Sequence, residues 1–401
     1  MNLFRKNNQG NKSWSMRYLY TYLLLLLLFF LSPFTKVFSQ SPHSLRAPNL
    51  LLEARGNVGF LIAHHLEMEV FNKHVPSFEI NLARSTYGQQ QWEALYLYPV
   101  TGVSYWNGTL GSSETLGKAH ALMPYISFPL IKQPKNELSF RLAAGLAYLT
   151  QKFDRIENYK YIAIGSHVNA AINFMLEYRW KPTQQLQLSA GLQLMHFSNG
   201  SIKTPNFGLN IPSVSAGAAF RINKSNPYIM RSIRPSLTMY EFDGHDFLEF
   251  RIGSALGTKS IGEVISEKYN VMAGSFTVLK SISYKSKVGI GFDLSYDGSD
   301  ARYVGEKGVD YNSELQLAKT GVSLVYELVL SRLSFPAALG FYTSGRYNEG
   351  LSYYKIGMQY LITQKFFASM SLKTHFARAD YVVFGVGYRF KMKYNLKKFQ
   401  I

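Results

Sequence analysis

The chain of 401 residues contains no cysteine and carries a formal net charge of +18. The absence of cysteine excludes a disulfide framework and thiol chemistry. Hydrophobic residues make up 47% of the chain and aromatic residues 15%, yet no stretch after residue 40 is apolar for long enough to form a membrane-spanning helix. Apolar residues spread in this way favour β-strands over buried helices.

Residues 1–40 have the organisation of a secretory signal peptide. Four basic residues precede an apolar run from Leu19 to Leu31, and polar residues follow at positions 39–41. The alternative, a membrane anchor, is disfavoured because the run is shorter than the ~20 residues of a spanning helix and ends at Ser32 and Pro33. We therefore expect an exported mature chain that starts near residue 40.

The mature chain is strongly basic. Five basic residues and no acidic ones lie in the first 40 positions, which leaves a formal charge of +13 (18 less 5). The remaining positive residues are scattered without a basic run, and an exported protein rarely meets nucleic acid. We therefore expect no nucleic-acid partner, and instead an anionic membrane surface or a phosphorylated lipid.

A period-two alternation of apolar and polar residues recurs along the mature chain. Its clearest instances are residues 138–148, 172–180, 214–222, 248–252, 288–296, 322–330 and 382–390. Aromatic residues such as Tyr148 and Trp180 stand at the ends of the apolar faces, and charged residues such as Glu249 and Arg251 stand mid-strand on the other face. A soluble β-sandwich also alternates, but this combination in strands of ten or more residues is typical of a transmembrane barrel with a polar lumen.

The alternation predicts roughly eight strands between residues 57 and 223 and eight or nine between 232 and 390. We expect an all-β fold, a single antiparallel transmembrane β-barrel of about 14 to 16 strands over residues 41–390, followed by a basic tail at 391–401. The alternative is an eight-stranded barrel plus a second β-domain, with a boundary near Asn223–Ile233. Predicted lipid-facing residues are Leu188, Leu192, Leu194, Phe220 and Val386. Predicted lumenal residues are Gln187, Gln193, Glu249 and Arg251.

One strand places polar residues on its apolar face. In LQLSAGLQLMHFS, residues 186–198, that face carries leucines and then His196 and Ser198. A short turn precedes the strand and a longer segment follows it, so the pair is expected at the outer leaflet. Burying such groups unsatisfied costs about 1–3 kcal/mol each. This predicts a function, most simply a serine nucleophile with a histidine base acting on a lipid; the alternative is an interfacial pair bonded to headgroups or loop.

The segment HFSNGSIKTPNFGLN, residues 196–210, resembles the active-site segment of the PagL lipid A 3-O-deacylase (acyloxyacyl hydrolase) family. That family has a histidine, one residue, a serine and an asparagine on the outward face of an eight-stranded barrel, then a Pro-Asn and Gly pattern leading to an acidic residue. The match covers about 15 residues closely, and the strand pattern agrees from about 57 to 223. Residues 232–390 would then be additional strands of a long form.

The resemblance implies that His196 is the general base and Ser198 the nucleophile. It also implies oxyanion-hole or loop-ordering roles for Asn199, Gly200 and Asn206. The family's third member is a glutamate fourteen residues after the histidine, and this chain has Asn210 there. An asparagine can hold an imidazole in one tautomer but cannot stabilise the imidazolium with a full charge.

The resulting expectation is a carboxylic ester hydrolase in the outer membrane of a Gram-negative bacterium that removes a 3-O-linked acyl chain from lipid A of lipopolysaccharide. The alternative is a non-enzymatic outer-membrane barrel, a porin or a lipid-binding protein weakened by Asn210. No cofactor and no metal are expected, because the histidines and acids near residues 64–79 and 293–300 lack the spacing of metal ligands. The sequence specifies neither the acyl chain removed nor the oligomeric state.

Overall fold

The computed structural model describes residues 49–393 except 63–68, 70, 72, 89, 224–246, 263–266, 309–313, 346–349 and 377. The predicted signal peptide, nearly all of the predicted boundary and most of the basic tail lie outside the described residues. None of the helices within the described ranges is long and apolar enough to cross a membrane.

The first barrel is a closed sheet of eight antiparallel strands, each paired with its neighbour in sequence. Its strands are β1 (Asn49–Phe60), β2 (His74–Ser85), β3 (Val100–Thr109), β4 (Lys118–Lys132), β5 (Asn136–Leu149), β6 (Val168–Trp180), β7 (Leu186–Ser198) and β8 (Leu209–Arg221). The sheet closes where β8 pairs back to β1, between Leu51↔Arg221 and Gly59↔Ser213. A short helix, α1 (Gln91–Leu95), lies between β2 and β3.

The second barrel is also a closed antiparallel sheet of eight strands. Its strands are β9 (Phe247–Ile261), β10 (Glu267–Ser281), β11 (Ser286–Asp297), β12 (Lys319–Leu330), β13 (Leu333–Ser344), β14 (Ser352–Leu361), β15 (Phe366–His375) and β16 (Arg378–Lys393). The sheet closes where β16 pairs with β9. Between β11 and β12 lie the helix α2 (Asp300–Glu306) and a 3-10 turn, Glu314–Leu317.

The all-β fold and the sixteen strands agree with the sequence, but the predicted single barrel is wrong. The strands form two closed barrels, as the alternative described. β8 bonds to β1 instead of β9 because eight strands already enclose an interior that side chains can fill, which leaves no edge to which a ninth strand could add. β1 also begins at Asn49, ahead of the predicted 57, because the run Leu50–Leu52 hides the alternation there.

The predicted assignment of strand faces is confirmed. The residues expected to face lipid are all exposed on the outer surface: Leu188, Leu192, Leu194, Phe220 and Val386. The residues expected in the lumen are all buried: Gln187, Gln193, Glu249 and Arg251. Because side chains alternate along a strand, a few such residues fix the orientation of every other residue in the same strand.

Much of the apolar cluster inside the first barrel lies at the end where β7 terminates, which we call the loop rim because loops 110–117, 150–167 and 199–208 lie there. Trp106 and Phe197 pack with ring centroids 5.5 Å apart, and the loop residue Tyr161 is fully buried with them. Phe197 is thereby held inside the barrel. Its two neighbours in β7, residues 196 and 198, must consequently point outward.

Charged side chains fill the rest of the first lumen. Arg55 forms ion pairs with Glu53, at 2.7 Å, and with Glu177, which also pairs with Arg179 at 2.8 Å. All four side chains are nearly or completely inaccessible to water. Buried charges are tolerated only when each is paired and hydrogen-bonded, so this network ties together β1 and β6, which lie apart in the sheet.

Candidate active site

The site lies on the outer face of β7 at the loop rim. His196 and Ser198 are half-buried and share that face with the exposed Leu192 and Leu194. Alternate residues of a strand lie about 6.5–7 Å apart, so the imidazole and the hydroxyl are neighbours on one surface. A histidine and a serine therefore end a stripe of apolar side chains on the outside of the barrel.

Asn210 stands directly opposite His196 in the β7–β8 pair. Its side-chain oxygen Oδ1 lies 2.7 Å from Nδ1 of His196. Because an amide oxygen only accepts hydrogen bonds, the proton of the neutral ring belongs on Nδ1, and the basic lone pair belongs on Nε2. Asn210, which stands where the family has a glutamate, thus orients the imidazole, although its side chain carries no charge.

The Ser198 hydroxyl is surrounded by groups of the loop that follows it. Oγ lies 3.2 Å from Oδ1 and 3.1 Å from Nδ2 of Asn206, and it accepts a hydrogen bond of 3.2 Å from the backbone N–H of Gly200. Asn206 Oδ1 also accepts a bond of 2.9 Å from the backbone N–H of Asn199. Asn199, Gly200 and Asn206, which the resemblance singled out, all meet at the serine.

We call the segment 199–208 the site loop. The loop between β5 and β6, residues 150–167, supports it. The Asn199 side chain donates to Ser166 Oγ at 2.8 Å and to the backbone oxygen of Lys203 at 2.9 Å. The backbone of Asn206 forms an isolated β-bridge with Ile164, and Phe207 N donates to Ala163 O at 2.9 Å. Ser166 was not found by sequence reasoning, because it lies 32 residues before Ser198 and belongs to no motif.

Gly208 lies against the histidine ring. Its φ is +81°, a conformation that side chains rarely adopt, and a Cβ atom added there would lie 3.1 Å from Cε1 of His196. The site loop can therefore fold back beneath the imidazole only because a glycine occupies this position.

The surroundings of the site are positively charged. The pKa of the Lys203 ammonium is lowered by partial burial and further by the nearby charges of Lys152 and Lys268. Asp154 counteracts this effect. Lys152 and, from the second barrel, Lys268 thus lie close enough to repel the charge of Lys203, which favours the approach of an anion.

Glu177, the nearest acidic residue in the same hairpin, does not join the site. It lies in the lumen, bonded to Arg55, Arg179 and Ser127, and it pairs with the β7 backbone at Gly191, five residues below His196. Among the described residues, no group of three or more histidine or acidic side chains is arranged to hold a metal ion.

Two family models match the chain in sequence order. The model described as lipid A 3-O-deacylase (PagL) matches residues 77–219, which include the entire site. The model described as acyloxyacyl hydrolase, C-terminal domain, matches residues 237–392, which include the second barrel. The chain belongs to the PagL-type lipid A 3-O-deacylase family. It is a long form, in which the site-bearing barrel is followed by the C-terminal domain.

Three solved structures align with the chain at low identity and low TM-score. The outer membrane enzyme PagL is 12% identical over 41% of this chain and 97% of its own, with a TM-score of 0.30. Neisserial surface protein A is 12% identical over 43% and 97%, also with a TM-score of 0.30. A mutant Rh. blastica porin is 10% identical over 85% and 99%, with a TM-score of 0.17. No curated protein matches the chain.

Proposed function

We propose that this protein is an outer-membrane esterase that removes a 3-O-linked acyl chain from lipid A, with Ser198 as nucleophile and His196 as general base. The observation that carries the proposal is the bond from His196 Nδ1 to Asn210, on the same outward face as Ser198. It orients a histidine base beside a serine on the outer face of the barrel, where a lipid of the membrane has direct access. Membership in the PagL family supports the substrate class.

The reaction would begin when the Ser198 hydroxyl exchanges its contact with Asn206 for one with His196. Ser198 Oγ forms a bond to the ester carbonyl carbon while its proton passes to Nε2 of His196. The carbonyl oxygen becomes an oxyanion, for which the N–H of Gly200 is the nearest backbone donor of the site loop. The C–O bond to the sugar then breaks, and the sugar oxygen takes the proton from His196.

The acyl chain is now an ester of Ser198, and water completes the cycle. His196 removes a proton from the water, whose oxygen bonds to the acyl carbon, and the proton then returns to Ser198 Oγ as the fatty acid leaves. Asn210 holds the ring in the required tautomer throughout. Without a carboxylate at position 210, the imidazolium formed in both steps lacks a charged partner, so the chemistry should be slower than with an acidic third member.

The substrate would reach the site sideways from the outer leaflet. Leu192 and Leu194 lie below His196 on the same face and would contact the acyl chain. Lys152, Lys203 and Lys268 lie at the loop rim and would bind the phosphates of the headgroup.

The second candidate is a non-enzymatic lipid-binding barrel, and Asn210 is the observation that favours it. A porin is less well supported, since the apolar cluster and the ion pairs fill the first lumen. The second lumen contains a cavity of about 130 Å³ beside Arg251, Lys373 and Tyr353, which is small for a solute channel.

Mass spectrometry of lipid A from cells with and without the protein tests the proposal. We expect lipid A from expressing cells to lose the mass of one hydroxylated or plain acyl chain, and the Ser198→Ala variant to restore the parent mass. If cells with the protein, cells without it and cells with the Ser198→Ala variant all have identical lipid A, and the protein is detected in the outer membrane, the lipid-binding alternative is supported.

A further inference from the structure

The seam at which the second barrel closes is open at the loop rim. Pairing between β16 and β9 extends from Lys393↔Phe247 only as far as Val383↔Gly257. β9 nevertheless continues to Ile261, and β16 begins five residues before Val383, at Arg378. Within the described residues, the pairing of β9 with β16 therefore stops short of the last four residues of β9 and the first five of β16.

The site loop of the first barrel occupies this opening. Ser260 N donates to Ser201 O at 2.7 Å, and the Ser201 hydroxyl donates to Ala379 O at 2.9 Å, so Ser201 bridges β9 and β16. The Ser260 hydroxyl donates to Ile202 O at 2.8 Å. Backbone bonding of a foreign segment to an exposed sheet edge is a common mode of recognition between proteins.

Burial of the seam residues supports the same contact. Ser260 has the outward orientation of Ile252 and Leu256, which are more than half exposed, but only 3% of Ser260 is accessible. A Cβ atom added to Gly200 would lie 2.4 Å from Cγ2 of Val382, and the φ of Gly200 is +62°. The loop thus lies so close to the second barrel that only a glycine fits at position 200.

The contact between the site loop and the second barrel lies within two residues of Ser198, the proposed nucleophile. Gly200, which touches Val382, donates its N–H to the Ser198 hydroxyl, and Asn206 at the other end of the loop contacts the same oxygen. Thr204 Oγ1 donates to Gly262 O at 2.5 Å, which fixes the loop a second time before Asn206. Each group of the loop that touches Ser198 therefore lies within two residues of an anchor on the second barrel.

We propose that the β9–β16 seam of the second barrel is a positioning element for ester hydrolysis: it clamps residues 200–204 and so holds Gly200 N–H and Asn206 on Ser198. The inference rests on the proposed function. It assigns to the C-terminal domain a role in the chemistry of the first barrel, in addition to any independent role in the membrane.

The hydroxyl of Ser260 provides the sharpest test. In purified full-length protein, Ser260→Val should lower kcat for lipid A about 10-fold while KM stays within about 2-fold, because displacement of an aligned group slows the chemistry more than it weakens binding. Ser260→Thr, which keeps a hydroxyl, should recover most of the rate. The matched control is Ser254→Val, which changes an exposed serine on the same strand and face, away from the loop.

A merely structural contact predicts a different pattern. Ser260→Val would then lower the yield of folded protein without changing kcat per folded molecule, or it would raise KM alone. Either result overturns the proposal, as does a loss of rate in Ser254→Val equal to that in Ser260→Val.

Cysteine pairs test the contact separately from the activity, because the chain has no cysteine of its own. The double variant Ser201→Cys/Ser260→Cys should yield linked peptides by mass spectrometry after oxidation, also in the Ser198→Ala background, whereas Ser201→Cys/Ser254→Cys should not. An active enzyme without the link overturns the clamp alone. If the cysteine pair links but the parent protein hydrolyses no lipid A, the proposed function fails and the positioning role fails with it.

Discussion

The two barrels share a charged interior but differ in what they present to the membrane. The first strand of each barrel carries a Glu-x-Arg sequence whose two charged side chains face the lumen. These are Glu53 and Arg55 in β1, and Glu249 and Arg251 in β9. In each barrel the arginine also pairs with an acid on a distant strand, Glu177 in the first and Glu327 in the second.

The difference lies in the direction of one histidine. β7 and β15, the seventh strands of their barrels, each carry a histidine near the loop rim. His196 lies on the same face of its strand as Leu194 and points outward. His375 lies on the same face as the buried Lys373, and its Nε2 is hydrogen-bonded to the Tyr342 hydroxyl at 2.9 Å. A shift of one residue along a strand reverses the face. The face, more than the residue type, decides which histidine can meet a lipid.

The largest expected effect comes from removing the outward-facing pair. Ser198→Ala and His196→Ala should each lower deacylation by about 10³-fold or more, because members of a nucleophile–base pair act as a unit. Both side chains lie at the rim, where truncation removes little packing, so the free energy of unfolding should change by less than about 1 kcal/mol. Rates come from lipid A mass spectrometry, and folding from the heat-dependent gel migration of the barrel.

His375→Ala is the matched control for that comparison. It removes a rim histidine that faces the lumen, and deacylation should stay at the parent level. Equal losses in His196→Ala and His375→Ala would mean that the rim as a whole, and not the outward face, carries the activity.

The second expected effect concerns the shared interior. Glu177→Ala leaves Arg55 buried without its main partner and should lower the free energy of unfolding by about 3–5 kcal/mol. Glu327→Ala should do the same through Arg251. The control Glu267→Ala, which breaks an exposed pair with Arg302, should produce a much smaller shift, because water screens it.

Denaturant unfolding measures this effect. Tryptophan fluorescence follows the first barrel, which contains Trp106 and Trp180, and limited proteolysis follows the second barrel, which has no tryptophan. If the barrels unfold separately, Glu177→Ala should move only the transition of the first barrel. A shift no larger than that of Glu267→Ala would show that the charged interior does not stabilise the barrel.

Some of this structure could be predicted from the sequence because period-two alternation depends only on which face meets lipid. Leu192 and Gln193 could be assigned to opposite faces, and the family segment identified Asn210 as a partner for His196, although its place in β8 became visible only in the structure. Closure could not be predicted, since the edge of β8 offers the same backbone groups to β1 as to β9. The clamp on Ser201 was equally hidden, because it uses mainly backbone oxygens, which carry no signature in the sequence.

The third prediction concerns the missing charge at position 210. Asn210→Ala should lower the rate about 10- to 100-fold, because His196 loses the bond that fixes its tautomer. Asn210→Glu should raise the rate about 10-fold by placing a carboxylate beside the imidazolium. In serine proteases the reverse exchange, acid to amide, costs about 10⁴ in rate, so a fraction of that gain is measurable.

A parent-like rate in Asn210→Ala, with no gain in Asn210→Glu, would remove Asn210 from the mechanism. The pH dependence of the two variants gives a second criterion. A carboxylate at position 210 favours the protonated ring, so Asn210→Glu should shift the lower limb of the rate profile to higher pH.

The smallest effect is expected at Lys203, the lysine of the site loop. Its ammonium lies near Lys152 and Lys268, and its pKa is lowered by burial and by their charges. A bound phosphate relieves that repulsion, so Lys203→Ala should raise KM for lipid A about 3-fold with kcat unchanged, and the effect should fade at high salt. Because the Asn199 bond goes to the backbone oxygen of Lys203, the substitution leaves the loop anchored.

Two further variants show whether charge is the cause of the Lys203 effect. Lys203→Arg keeps the positive charge and should keep the parent KM. Lys160→Ala removes an exposed lysine from the neighbouring loop, beside Tyr159 and outside the cluster that acts on Lys203, and should also leave KM unchanged. Since the lowered pKa of Lys203 means that its proton is lost at a lower pH than usual, KM of the parent should rise with pH earlier than KM of Lys203→Arg. If both proteins follow the same pH curve, the ammonium of Lys203 does not bind the headgroup, and the phosphates must be held elsewhere on the rim.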